Sequence, residues 1–175
     1  MKRLILLRHA KAVGDRPGLE DRDRILADRG RADAIRMGQF LHEEDCVPER
    51  VICSPAARTR QTLELVLPQL GASPDVQVRD ELYLARWLTI LTLIRQTPNV
   101  AASLMVVGHN PGLEDCARKL ARPPGDAQGR KLHEALRQNY PTGAVAVLDF
   151  DVADWNRVEA GEGELEHFVS PKDLV

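Results

Sequence analysis

Apolar residues along this chain fall into short β-type runs separated by longer stretches with helical spacing. Residues 3–7, 50–53, 103–107, 144–150 and 164–169 read as strands. The third contains Leu104-Met105-Val106-Val107, a continuous apolar run of the kind a strand needs when both of its faces are covered. Residues 29–44 put Ile35, Met37, Phe40 and Leu41 on an imperfect apolar helical face. Helical spacing also runs through Thr59, Leu63, Val66 and Leu70 in 55–70, through Leu84, Leu88, Leu91 and Ile94 in 84–96, and through Leu113, Ala117 and Leu120 in 111–120. Residues 127–138 read as a surface helix, either lining a pocket or serving a subunit contact. This alternation predicts an α/β three-layer sandwich, with a mostly parallel central sheet and helices on both faces.

Two segments break the pattern. Residues 14–28 are crowded with charge around Pro17 and Gly18, and 122–126 read Arg-Pro-Pro-Gly-Asp. Either could cover a site, although the charges of the first favour a solvated surface loop. At 175 residues the chain suits one domain, 1–175, with a sizeable core. Its 24 basic and 26 acidic residues leave no excess for a nucleic-acid partner. Leu4-Ile5-Leu6-Leu7 is too short for a signal-peptide core or a membrane span. Cys46, Cys53 and Cys116 lack CxxC spacing and read as reduced thiols. A cytoplasmic protein with no membrane partner is therefore expected. Nineteen of the 24 basic residues are Arg; base composition accounts for that bias as a whole, and leaves open whether a few of them have chemistry to do.

Position singles out those few. Three strands end in reactive or polar groups: Arg8-His9, Ser54-Pro55 and His109-Asn110-Pro111. Ligands of open parallel sheets bind outside the carboxyl ends of the strands, so all three belong to one edge. Ser54 and Asn110 are expected to cap helices that begin at Pro55 and Pro111, turning two positive dipole ends toward the crevice. Arg58, four residues after Ser54, lies one helical turn on and can reach back with a fork suited to a phosphate-like anion.

Two histidines in such a crevice have two main uses. A metal site is disfavoured, because the neighbouring arginines repel a cation and no HExxH-type spacing is present. No cofactor is implied. A neutral imidazole can instead attack phosphorus and carry the phosphoryl group. Flanking guanidinium groups keep that imidazole neutral and stabilise the transferring oxygens.

These segments resemble the histidine phosphatase superfamily, which has the phosphoglycerate mutase-like fold. Leu7-Arg8-His9-Ala10-Lys11 resembles its Arg-His-Gly signature in the Ala variant found in the small SixA-type phosphohistidine phosphatase branch. The run from Ser54 to Thr62, Ser-Pro-Ala-Ala-Arg-Thr-Arg-Gln-Thr, is similar to the second motif, and Val107-Gly108-His109-Asn110-Pro111-Gly112 to the third. The likeness extends from residue 3 to about residue 150. It implies His9 as the phosphorylated nucleophile and Arg8, Arg58 and His109 as the phosphate pocket. Arg24 resembles an arginine before the first helix of this branch, and either faces the site or lies solvated at the surface.

One departure bears on the substrate. Larger members of the family carry an acidic residue where Leu84 stands here, leaving Glu81 as a displaced candidate for general acid. Without a strong acid, esters with poor leaving groups become harder to cleave, whereas phosphohistidine loses an imidazole and needs less help. The short loops supply no cap for a small metabolite. The resemblance thus implies a phosphohistidine-bearing protein as substrate, with a phosphomonoesterase or mutase on a small phosphorylated metabolite as the alternative. A catalytically silent phosphate-binding module is a third reading, disfavoured by the joint presence of His9, Arg58 and His109.

Overall fold

The computed structural model describes residues 1–174. Among them, six strands form one mixed sheet: β1 (Lys2–Arg8), β2 (Arg50–Cys53), β3 (Asp75–Val78), β4 (Ser103–Gly108), β5 (Val145–Phe150) and β6 (Glu164–Val169). Their order across the sheet is β3-β2-β4-β1-β5-β6. Pairs β2–β3, β2–β4 and β1–β4 are parallel, whereas β1–β5 and β5–β6 are antiparallel. β5 alone therefore runs against the others, and the expected mostly parallel sheet is present.

The apolar runs show why the sheet is covered on both faces. Successive side chains of a strand point to opposite sides. Leu4 and Leu6 of β1 and Leu104 and Val106 of β4 enter one core layer, while Ile5, Leu7, Met105 and Val107 enter the other. The first layer is closed by α3 (Trp87–Arg95), α4 (Gly112–Leu120) and α5 (Ala127–Gln138), the second by α1 (Asp28–Glu43) and α2 (Ala57–Val66). All eight of those strand residues are fully buried. Each such side chain stabilises the fold by roughly 1.5–3 kcal/mol relative to exposure, before the entropy of ordering it is subtracted.

Beyond shifts of a residue at element ends, the structure differs from the sequence expectation at three places, each for a local reason. The helix expected over 55–70 begins at Ala57 and gives way to one 3₁₀ turn at Leu67–Gln69. Pro68, which has no N–H to donate and whose ring crowds the preceding turn, stops the α-helix there. The helix expected from Leu84 begins at Trp87, because Leu84 adopts φ +50° and cannot continue a right-handed turn. β3 has no counterpart among the expected strands. It is an exposed edge strand, Asp-Val-Gln-Val, held by backbone pairing to β2 and by an Asp75–Arg50 ion pair rather than by an apolar face. No helix among the described residues is long and apolar enough to cross a membrane.

Candidate active site

The carboxyl ends of β2, β4 and β1 lie side by side. Arg8 pairs with Gly108, and Cys53 and Leu7 both pair with Val107. The chain continues that pairing just past the strands: His9 N–H donates to Gly108 O at 3.2 Å and Ser54 N–H to Val107 O at 3.0 Å. The three sequence segments expected at one edge are thereby brought together, with the His9 and His109 rings 5.5 Å apart, centre to centre.

His9 is almost wholly buried, and its Nδ1 lies 2.8 Å from the Ala10 carbonyl oxygen. A carbonyl can only accept, so the ring proton sits on Nδ1 and the Nε2 lone pair is free. The backbone that holds this geometry is fixed by the second motif. Ala10 N–H donates to Thr62 Oγ1, and that hydroxyl donates to Arg58 O at 2.7 Å. Burial first, then the charges of Arg8, Arg58 and Arg24, lower the His9 pKa from 6.5 to about 4. The imidazole is neutral near pH 7.

His109 is set from the other nitrogen. Its Nε2 lies 2.7 Å from Ser54 Oγ, which also accepts from Ala56 N–H at 3.4 Å. A hydroxyl that accepts from the backbone can give its own proton to Nε2, which leaves the ring proton on Nδ1. That atom is buried and has no partner. Burial, then Arg58 and His9, lower its pKa to about 3, so this ring too is a neutral donor. This corrects the helix-capping role expected of Ser54: α2 is not capped by it, and the residue before α2 is Ala56. Ser54 instead stands two residues before Ala56, where its hydroxyl meets His109. The cap expected of Asn110 is corrected too: Pro111, not Asn110, directly precedes α4, which begins at Gly112, although Asn110 Oδ1 still accepts from Glu114 N–H at 3.2 Å.

The arginines occupy separate walls. Arg8 is anchored by Nη1 to the Tyr140 carbonyl at 2.9 Å, and Asn110 Nδ2 donates to the same oxygen. Arg58 is only 2% exposed and gives Nη1 to Asp21 O at 2.7 Å and Nη2 to Asp21 Oδ2 at 2.9 Å. In both guanidinium groups Nε is buried without a partner. Three buried nitrogens, Arg8 Nε, Arg58 Nε and His109 Nδ1, are thus left unsatisfied among the groups that surround His9. Orphaned buried donors carry a desolvation cost of about 1–3 kcal/mol each unless a ligand accepts from them. An oxyanion is the ligand that answers all three. Among the described residues, no three His, Cys, Asp or Glu side chains gather as a metal-ligand set.

Arg24 stands at the rim. It bonds Asp21 through Nε and Nη2 and the Val13 carbonyl through Nη1, and its charge reaches His9. Glu81 lies apart from this group, exposed and paired with Arg79. Its own backbone N–H and then Arg79 hold its carboxyl below the usual range. Leu84, which the sequence resemblance sets at the acid's position, is 52% exposed and offers no proton.

Sequence reasoning missed three contributors. Asp21 belongs to the charged segment read as solvated loop, yet a single 3₁₀ turn at Asp21–Asp23 brings it onto Arg58. Tyr83 donates its hydroxyl to Asp21 and stands edge-on to His109, with centroids 5.5 Å apart. Tyr140, fully buried with its hydroxyl on Leu6 O at 2.5 Å, acts through its carbonyl, for which a sequence carries no signal.

The sequence and the fold are similar to those of known proteins. Residues 4–87 match the model of the histidine phosphatase superfamily (branch 1). An uncharacterized protein of Mycobacterium tuberculosis is 32% identical over 166 residues, covering 95% of this chain and 100% of its own length. A protein of Agrobacterium tumefaciens assigned as the phosphohistidine phosphatase SixA has a structure that superposes with a TM-score of 0.80 at 33% identity, over 97% of this chain and 98% of the other. A second so assigned, from Nakamurella multipartitia, also gives a TM-score of 0.80, at 32% identity over 97% and 96%.

Proposed function

Because the chain belongs to the histidine phosphatase superfamily, we propose that it is a metal-independent phosphatase that carries the phosphoryl group on His9 and takes it from phosphohistidine in proteins. The observation that carries this reading is the set of three unpartnered buried nitrogens on Arg8, Arg58 and His109, residues that neighbour a histidine whose tautomer leaves Nε2 free. Phosphoryl transfer asks mainly for positioning and for charge stabilisation on the equatorial oxygens, and this cup supplies both.

In the first half-reaction, His9 Nε2 forms a bond to phosphorus as the bond from phosphorus to the leaving nitrogen breaks. The electron pair goes with the leaving imidazole, which takes its proton from water. Arg8 and Arg58 hold the oxygens through Nε, and His109 donates from Nδ1. In the second, water attacks phosphorus, the Nε2–P bond breaks, and inorganic phosphate departs with His9 neutral again. No step needs a strong acid at the leaving group, in keeping with Glu81 paired to Arg79 in solvent and Leu84 at the family's acid position.

The two relatives assigned as phosphohistidine phosphatases support the choice of substrate. The test is a rate comparison between a phosphohistidine-bearing protein and small phosphate esters. Faster cleavage of the phosphohistidine is expected, and the substrate proposal fails if the esters are hydrolysed far faster.

A further inference from the structure

The mouth of the cup carries a carboxylate that the phosphoryl chemistry does not use. Asp21 lies across Arg58, with its backbone oxygen on Nη1 and its Oδ2 on Nη2. Its Oδ1 accepts from Arg24 at 3.0 Å, and the Tyr83 hydroxyl donates to Oδ2. Arg58 is 2% exposed while the Asp21 side chain is 40% exposed, so the carboxylate lies on the solvent side of the guanidinium. A group attached to a phosphoryl held by Arg58 therefore has this carboxylate on the solvent side of its anchor. Two neighbouring arginines have partners of their own. Arg24 faces Asp21 and Asp15, and Arg22 is stacked over the Tyr83 ring, 5.0 Å from its centroid.

We propose that Asp21 is a specificity-determining residue: it disfavours substrates whose leaving group carries a second anionic group near the phosphoryl, and admits leaving groups that are neutral or cationic. The inference rests on the phosphoryl-transfer reading above and narrows its substrate class. Metabolites with a carboxylate or second phosphate close to the reacting phosphoryl meet the negative charge of Asp21. A phosphorylated imidazole on a protein meets none of this penalty. If Asp21 only braced Arg58, removing its charge would weaken every phosphoryl substrate alike. A charge filter changes the ratio between substrates.

The experiment compares kcat/KM for 4-carboxyphenyl phosphate and 4-carbamoylphenyl phosphate, which are close in shape and differ by one negative charge. The wild-type protein is expected to prefer the carbamoyl compound by about tenfold, the effect of one unit charge several ångströms away at a protein surface. In Asp21→Asn that preference falls to about twofold or less by the same argument, and Asp21→Glu restores it. Raising the salt concentration narrows it in the wild type, a measurement that needs no variant. The corresponding pair of arylphosphonate inhibitors should show the same order in binding. An unchanged ratio in Asp21→Asn, with both substrates slowed equally, overturns the filter. If His9 still becomes phosphorylated in that case, the catalytic reading stands without it. If His9 of the wild-type protein takes no phosphate, the catalytic reading fails whatever the ratio.

Discussion

At the scale of single residues, the site depends on two imidazoles that are kept neutral and given opposite tasks. His9 has its proton fixed on Nδ1 by the Ala10 carbonyl, which frees Nε2 to attack; His109 accepts at Nε2 from Ser54, which frees Nδ1–H to donate. Both pKa values fall well below 6.5, to about 4 and about 3, with burial the largest cause. Ring-proton NMR between pH 8 and pH 5.5 should therefore show neither ring titrating, and a midpoint near 6.5 for either would contradict this. His9, His109, Arg8 and Arg58 could be singled out from sequence because strand ends and helix starts leave marks in a chain. Asp21 could not. Its role depends on a loop that meets Arg58 across 37 positions, and a charged loop looks solvated until its partner is known.

At the scale of elements, the site is the product of strand register and of one close approach. The parallel pairing of β2, β4 and β1 aligns their carboxyl ends, and the fully apolar interiors of β1 and β4 make those strands legible in the sequence. β3 is not legible, because an exposed edge strand needs no apolar face. The start of α3 is equally hidden, because what ends the preceding turn is a left-handed leucine. Gly112, at the start of α4, lies against this same segment. A Cβ there would come within 1.7 Å of the Ala85 carbonyl oxygen. Gly112→Ala must therefore push Leu84–Ala85 away from α4, with Tyr83 and the His109 wall beside it. We expect a loss of about 1–3 kcal/mol in stability, typical of overpacking. Denaturant unfolding checks this, and phosphatase activity should fall with it. A variant as stable and active as the wild type would show that this approach is not required.

At the scale of the whole molecule, a chain with net charge −2 concentrates cationic donors in one buried cup, and its stability should depend on what fills that cup. An oxyanion that binds only the folded state stabilises it by about 2.7 kcal/mol at a hundredfold excess over Kd, a rise of roughly 5–10 °C in Tm at this size. Vanadate or phosphate should give that rise in the wild type and little of it in Arg58→Met. Acid should act oppositely. The unfolded chain protonates its histidines near pH 6.5, whereas folded His9 and His109 resist until about pH 4 and about pH 3. Stability therefore falls as pH drops from about 6.5 toward 4. Each ring contributes about 1.4 kcal/mol of that fall for every pH unit in which it is charged unfolded and neutral folded, and the slope is shallower in His109→Gln. Thermal melts across that range read the slope. The central claim, that the phosphoryl group passes through His9, is tested most directly by trapping it. Incubation with a labelled phosphohistidine donor and rapid quenching in base should leave acid-labile label on the wild-type protein, none on His9→Ala, and no change on adding a chelator. Label of the same stability on His9→Ala would contradict the account.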